Sequence, residues 1–385
     1  MSRLMRRVRG AGSERGAVAV LVAVVLGSGV MVGLGSIVID AGQAYSERAQ
    51  LQNGADAAAL AVAARCALGA ATCDTGTSAS SIAGTYANKN SNDTTSTVAL
   101  VCGHDSFGKL LPCPAPNPAK RINCGDAPTA NSQYVEVHTA TRTSTGQALL
   151  PPVFGRALLG ASFNGIGVTA CARVAFGTPA GSSGLALTAS YCEWKAAITA
   201  TGGTELNPKY ASPPPAVPPT TSEIVIYFHD TAPTPSHCIA GPSGFDVPGD
   251  FGSTQTTDTN CNTKFNFDPA GGSTTYVALP GSSLSAPCQA ALLSAQLSHR
   301  IVFLPIYDAV TGTGGNGTYT LWRMAAFVIT GYYWPSWSAN SWLTQTQPCK
   351  GNARCISGYF TTGVSPGQNI IAGSGAGASV LRITN

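Results

Sequence analysis

Residues 17–39 read AVAVLVAVVLGSGVMVGLGSIVI, a run without a single charged side chain. A helix rises ~1.5 Å per residue, so a run of this length spans a ~30 Å hydrocarbon core with a little to spare. Arg3, Arg6, Arg7, Arg9 and Arg15 precede it against one acid, Glu14, whereas Asp40, Glu47 and Arg48 behind it nearly cancel. Excess arginine flanks the cytoplasmic end of a span, so the amino terminus is expected inside and the rest of the chain outside. A cleaved secretory signal is the competing reading, because it too starts basic and turns apolar. The run exceeds the ~7–15 residue apolar region of such a signal. No small-x-small site closes it, which favours a retained anchor. The pair Gly29-x-x-x-Gly33, with Gly27 and Gly35 nearby, has the spacing that lets a second membrane helix come close. Glycine is also simply frequent in spans.

The chain has 385 residues, more than one core usually serves, so two extracytoplasmic units are expected. Charged residues make up 10%, against ~25% in ordinary soluble domains. The net charge is +4 and five arginines stand before the span, leaving no basic face for nucleic acid. All 12 cysteines follow the span. No C-x-x-C occurs, so neither zinc knuckles nor a thioredoxin-type motif is supported. An oxidising compartment makes disulfides the natural reading, with connectivity open. The short loops point to Cys66–Cys73 and Cys349–Cys355 as local bridges.

Past the span, Ala41, Ala44, Tyr45, Arg48, Leu51, Ala55, Ala58, Ala59 and Val62 recur at three- and four-residue spacing. Alanine favours helix and Gly54 is the weak link. Span and extension together predict one rod of about 54 residues, roughly 80 Å long. Its small-residue face suits either another surface or docking on its own domain. Residues 75–97 are polar and read as loop. The proline-rich stretch holding Cys102, Cys113 and Cys124 reads as a disulfide-tied loop. Strands are expected over Tyr134–Thr143 and Gly167–Phe176, with a short helix near Pro152–Leu159. Beyond Pro179 comes the proline-rich segment Asn207–Ser222. The short apolar runs EIVIYFHD, RIVFLPIYDAV, TYTLWRMAAFVITGYYW and SVLRIT follow, and Gln289–Leu297 has helical spacing. A mostly antiparallel β domain fits these runs.

Several motifs fail on context. Gly312, Gly314 and Gly317 spell G-x-G-x-x-G, but the strand-like TYTLW follows where a dinucleotide site needs a helix. No G-x-S-x-G elbow, P-loop or H-E-x-x-H occurs. His104, His138, His229, His237 and His299 are scattered without ligand spacing. His229 and Asp230 are adjacent in a strand and point to opposite faces. Asp258, Asn260, Asn262 and Asp268 lack the glycine and terminal glutamate of a calcium loop. The cluster Tyr332, Tyr333, Trp334, Trp337 and Trp342 offers a surface for stacking on cell-wall glycan, or local core packing. No residue constellation supports catalysis, a cofactor or a metal.

Arg15-Gly16-Ala17 before the span, Asp40 after it and LQNGADAAALA at Leu51–Ala61 resemble the start of TadG-like Flp pilus-assembly proteins. YVEVHTA, PPVFGRALLG and VTACARVAF resemble the extracytoplasmic part of TadE-type minor pseudopilins. SYCEW, VPGDFG, NGTYTLW, FVITGYY and CISGYF resemble longer TadG-related proteins. The resemblance implies a place in the cytoplasmic (inner) membrane beside a tight-adherence secretion machine, with other pilus-assembly membrane proteins or pseudopilins as partners. Larger relatives carry a von Willebrand A domain with a D-x-S-x-S metal site. Here only Asp74-Thr-Gly-Thr-Ser78 comes near that pattern, without a preceding strand, so the site is not carried over. Prepilin-peptidase substrates keep a glutamate where this chain has Leu21, which argues for an intact anchor.

The expected architecture is α+β: a basic cytoplasmic tail (1–16) and a transmembrane helix (17–39), then a helical extension with a small pseudopilin-like α/β unit (40–178). A β-rich, disulfide-stabilised extracytoplasmic domain (179–385) completes it. The expected function is a non-catalytic, membrane-anchored component of Flp pilus assembly. A glycan-binding surface module, using Trp334, Trp337 and Trp342, is the alternative.

Overall fold

The structure is a computed structural model that describes residues 13–27, 30–69, 72–73, 77–115, 124, 132–229, 260–267, 274–277, 284–311, 318–367, 369–371 and 375–384. The apolar run is carried by two helices, α1 (Ser13–Gly27) and α2 (Val30–Ala67). Among the described residues no helix is long and apolar enough to cross a membrane. This differs from the single spanning helix expected over residues 17–39. α1 has 15 residues, or ~22 Å of helix, short of the ~30 Å core. α2 has 38 residues, but its apolar part ends at Ile39 and Asp40, Glu47 and Arg48 follow. Residues 28 and 29, between the two, lie outside the described residues.

The outer half of α2 is the spine of the first unit. Leu51, Ala55, Ala58, Ala59, Val62, Ala63 and Cys66 form one buried stripe at helical spacing. Small side chains let this stripe sit close on a sheet, against Val135, Val137, Ala172, Val174 and Phe176. A second helix, α3 (Thr77–Lys89), lies on α2 through Ala83 and Ala87. Its composition read as loop because Ser and Thr are poor helix formers. The apolar contact with α2 supplies what propensity lacks. The sheet starts with β1 (Thr97–His104) and β2 (Gln133–Ala140). After the one-turn helix α4 (Gly155–Leu159) it continues in β3 (Thr169–Pro179), antiparallel to β2.

The second unit opens with β4 (Gly181–Leu185), β5 (Ala189–Ser190) and α5 (Tyr191–Ala200). Ser190 caps α5, accepting a hydrogen bond from the Glu193 amide, and Ser190-x-x-Glu193 has the capping-box spacing. Next come β6 (Ile224–His229), β7 (Asn262–Asn266), β8 (Thr274–Val277), α6 (Ala286–Ser298) and β9 (Ile301–Thr311). The central strand is β10 (Thr318–Trp334), 17 residues long, followed by β11 (Trp337–Ala339) and β12 (Arg354–Thr361). The main sheet runs β5-β9-β10-β12-β6, antiparallel except where β5 meets β9. β9 and β10 pair directly from Thr311 and Thr318, so the glycine motif joins two hairpin strands. The motif residues themselves lie outside the described residues.

The chain then returns to the first unit through β13 (Gly363–Val364), β14 (Ile370–Ile371) and β15 (Ala378–Ile383). β15 pairs antiparallel with β3, completing the order β1-β2-β3-β15-β13. Ser379 Oγ also donates to the Ala67 carbonyl at the end of α2, 3.2 Å away. The carboxyl-terminal strand therefore crosses the change of composition near Pro179 and stitches the units together.

Candidate functional site

Five large apolar side chains of α1 stand open to the surroundings. Val18, Val20, Leu21, Val22 and Val24 are all exposed, from 48% at Val22 to 66% at Leu21. Three of these are consecutive, and at 100° per residue they reach around most of the cylinder. A helix apolar on every side belongs inside a large core or a bilayer. Val38 and Ile39 carry the exposed apolar surface into α2.

The next residue, Asp40, closes a clasp. Its Oδ1 accepts a hydrogen bond from the Val153 amide at 2.9 Å, and the carboxylate also faces the Phe154 amide at 3.3 Å. These amides precede α4, where the first turn leaves donors without helical partners. A carboxylate is favoured near the amino end of a helix. Gly155 is required here: a Cβ would stand 2.6 Å from the Phe163 ring and 2.9 Å from Asp40 Oδ2. The clasp thus ties the end of the apolar run to the loop between β2 and β3.

Gly54, read from propensity as a weak point, is where α2 and α3 touch. A Cβ there would lie 3.1 Å from the Ala87 carbonyl oxygen. Close backbone approach, not helix propensity, accounts for the glycine. Nearby, Gln52 Nε2 donates to the Cys171 carbonyl at 2.9 Å, and Thr139 Oγ1 to the Leu51 carbonyl at 2.9 Å. Both bonds lock the rotation of α2 on the sheet.

On the sheet's opposite face lies a buried charged cluster. Glu136 sits across from Cys102 on β1 and Arg173 on β3, and His138 across from Cys171. Arg173 donates from Nε at 2.9 Å and from Nη2 at 2.6 Å to Glu136 Oε2. His138 Nε2 lies 2.6 Å from Glu136 Oε1, and the Tyr134 ring lies 5.4 Å from the guanidinium. Burial opposes ionisation of Glu136, but the hydrogen bonds from His138 and Arg173, with the Arg173 charge, outweigh it. They hold the carboxyl below its ordinary range. Cys124 and Cys171 come near Glu136 and His138, but the two sulfurs are bonded to each other. A metal needs thiolates, and a dication would also sit beside Arg173. The group is an ion pair under a bridge, which suits fixing a loop rather than chemistry. Sequence reading missed it, although Glu136 and His138 share a strand face by their two-residue spacing.

The described bridges join Cys66 to Cys73, Cys102 to Cys113, Cys124 to Cys171, Cys261 to Cys288 and Cys349 to Cys355. Cys192 is disulfide-bonded as well. Gly29 lies outside the described residues, and Gly33 falls within α2. Trp334 is buried and stacks on Trp337 at 4.8 Å within the core of the second unit. Trp342 stacks on His299 at 4.0 Å and donates from Nε1 to the Ile329 carbonyl at 3.2 Å. Trp337 and Trp342 are half-buried, and Trp342 packs with Tyr359 in a cluster separate from that of Trp334 and Trp337, so the three indoles are split between two clusters. His229 ends β6, while Asp230, Asp258 and Asp268 lie outside the described residues, as do residues 74–76.

No curated protein and no solved structure matches the chain. Residues 16–65, which reach from the exposed apolar helix through the Asp40 clasp and the Gly54 crossing to the packed end of α2, match the family model described as putative Flp pilus-assembly TadE/G-like.

Proposed function

We propose that the protein is a non-catalytic component of Flp pilus assembly. Residues 17–39 hold it in the cytoplasmic membrane with the amino terminus inside. The α+β body, tied by disulfides, stands outside and meets other pilus-assembly membrane proteins or pseudopilins. The observation that carries this reading is the family match at residues 16–65, which falls on the apolar helix and the spine of the first unit. Three further features support it: the exposed aliphatic side chains of α1, the arginines on its amino side, and the bonded cysteines. Bonded cysteines fit an oxidising compartment. In mechanical terms the apolar helix fixes position, and the packed outer half of α2 passes force into a sheet held at both ends of the chain. Clean deletion of the gene, followed by electron microscopy of the cell surface, tests the assembly role. Loss of pili, restored by the full chain, is expected; normal piliation would refute it. Alkaline carbonate extraction tests the anchor separately, and release of the protein into the supernatant would remove it.

A further inference from the structure

We propose that the loop of residues 142–167 is a second membrane contact, a foot that rests in the outer surface of the bilayer beside the anchor. The inference rests on the anchored reading above and goes beyond it by assigning lipid contact to a part of the folded body. Leu149, Val153, Phe154, Leu159 and Ile166 are all exposed on this one loop, with Val153 at 56% and Leu159 at 61%. Five large apolar side chains on one short surface loop call for a partner.

The position of the loop identifies that partner. Asp40 is the first charged residue after the apolar run, so it marks where hydrocarbon gives way to headgroups. Its carboxylate holds the Val153 amide at 2.9 Å. Val153 and Phe154 are therefore held at the depth of the hydrocarbon edge, where Val38 and Ile39 are also exposed. An apolar surface at that depth sinks ~5–10 Å into the boundary between headgroups and acyl chains. The loop's own charges are basic: residues 142–167 hold Arg142 and Arg156, both exposed, and no Asp or Glu, while Asp40 and Glu47 of α2 supply acids beside it. Arginine at this depth lays its stem along apolar surface and extends its charged end to the headgroups.

The loop is also preformed. Leu150 and Ile166 exchange backbone hydrogen bonds at 2.9 and 3.3 Å, and Arg156 Nε donates to the Phe163 carbonyl at 3.2 Å. Gly165 permits the close pass, with φ +124° and no room for a Cβ against the Leu150 carbonyl. A rigid foot loses little conformational freedom when it meets a surface.

The test uses the full chain reconstituted in vesicles of phosphatidylethanolamine and phosphatidylglycerol. Two variants, Phe154→Trp and Leu159→Trp, each add one indole to the five native ones, all of which lie in the second unit. The difference spectrum against the parent protein is recorded with lipids brominated near the top of the acyl chain. The expected result is a blue-shifted added emission, quenched about twofold or more for both variants. Adding Asp40→Ala to Phe154→Trp should lower that quenching. Unshifted, unquenched emission from both variants in carbonate-resistant protein would overturn the foot and leave the anchor standing. Release of the protein from the vesicles by carbonate would overturn both. Photocrosslinking from residue 159 in cells to a protein rather than to lipid would also overturn the foot, assigning the loop to a pilus-assembly partner.

Discussion

Truncating Glu136 is the sharpest test of how the first unit holds together. The Glu136 and Arg173 side chains are 8% and 6% exposed, and two hydrogen bonds of 2.9 and 2.6 Å join them. Glu136→Ala leaves the guanidinium buried without its carboxylate, a loss of about 3–5 kcal/mol for pairs of this kind. Set against a total stability of about 5–15 kcal/mol, that is a large fraction. The chain carries its own control. Lys195 and Glu205 also pair, at 3.1 Å, but both side chains are about half exposed. Lys195→Ala should therefore lose no more than about 1 kcal/mol. Urea unfolding of the full chain in detergent micelles, followed by circular dichroism, compares the two midpoints. Replacing both partners, Glu136→Leu with Arg173→Met, should recover most of the loss, because the guanidinium charge leaves together with its carboxylate. The pH dependence has a fixed sign. Burial raises the Glu136 pKa, but the His138 and Arg173 hydrogen bonds lower it further, below the ordinary 4.5. The pair's stabilisation is then complete above that ordinary value and is lost as pH falls through the lowered one. The parent protein should lose more stability on acidification than Glu136→Ala does. Equal midpoints for Glu136→Ala and Lys195→Ala would refute the reasoning.

Asp40→Ala should destabilise the 142–167 loop by about 0.5–2 kcal/mol, seen as faster hydrogen exchange at the Val153 and Phe154 amides; unchanged exchange would remove the clasp. Gly54→Val should cost about 1–3 kcal/mol in the same urea assay, since even the first added carbon meets the Ala87 backbone at 3.1 Å. A neutral result would mean that the two helices do not cross there. Tyr359→Phe should stabilise the protein by about 1 kcal/mol, read as a higher urea midpoint, because among the described residues the buried hydroxyl has no partner. Burial pushes that phenol up to about 12, in keeping with its isolation. A lowered midpoint would reveal a hydrogen bond.

Much of the fold could be read from local pattern. The buried stripe of α2 follows the three- and four-residue spacing, and β2, β3, β9, β10 and α6 lie on the runs that alternation or helical spacing marked. The family resemblance of the amino-terminal stretch rests on Arg15-Gly16-Ala17, Asp40 and LQNGADAAALA, and the matched segment, residues 16–65, contains all of these but Arg15. α3 escaped because its helicity comes from contact with α2 rather than from its own residues. α5 could have been found from Ser190 and Glu193, whose spacing is a helix-start signal. Of the candidate site, the apolar run and Asp40 were legible as separate features, and their link to the loop of residues 142–167 was not.

Local periodicity and charge placement are properties of neighbouring residues, so the chain alone identifies an apolar helix, an amphipathic continuation and a set of strands. Partnership over long separations is different. Asp40 with Val153, Glu136 with Arg173, and β15 with β3 each join segments whose spacing carries no signal. The last two exist because buried polar groups and sheet edges must find partners somewhere in the folded chain, and the first because folding brings the Val153 amide to a carboxylate. Only the packed structure decides which partner each one finds.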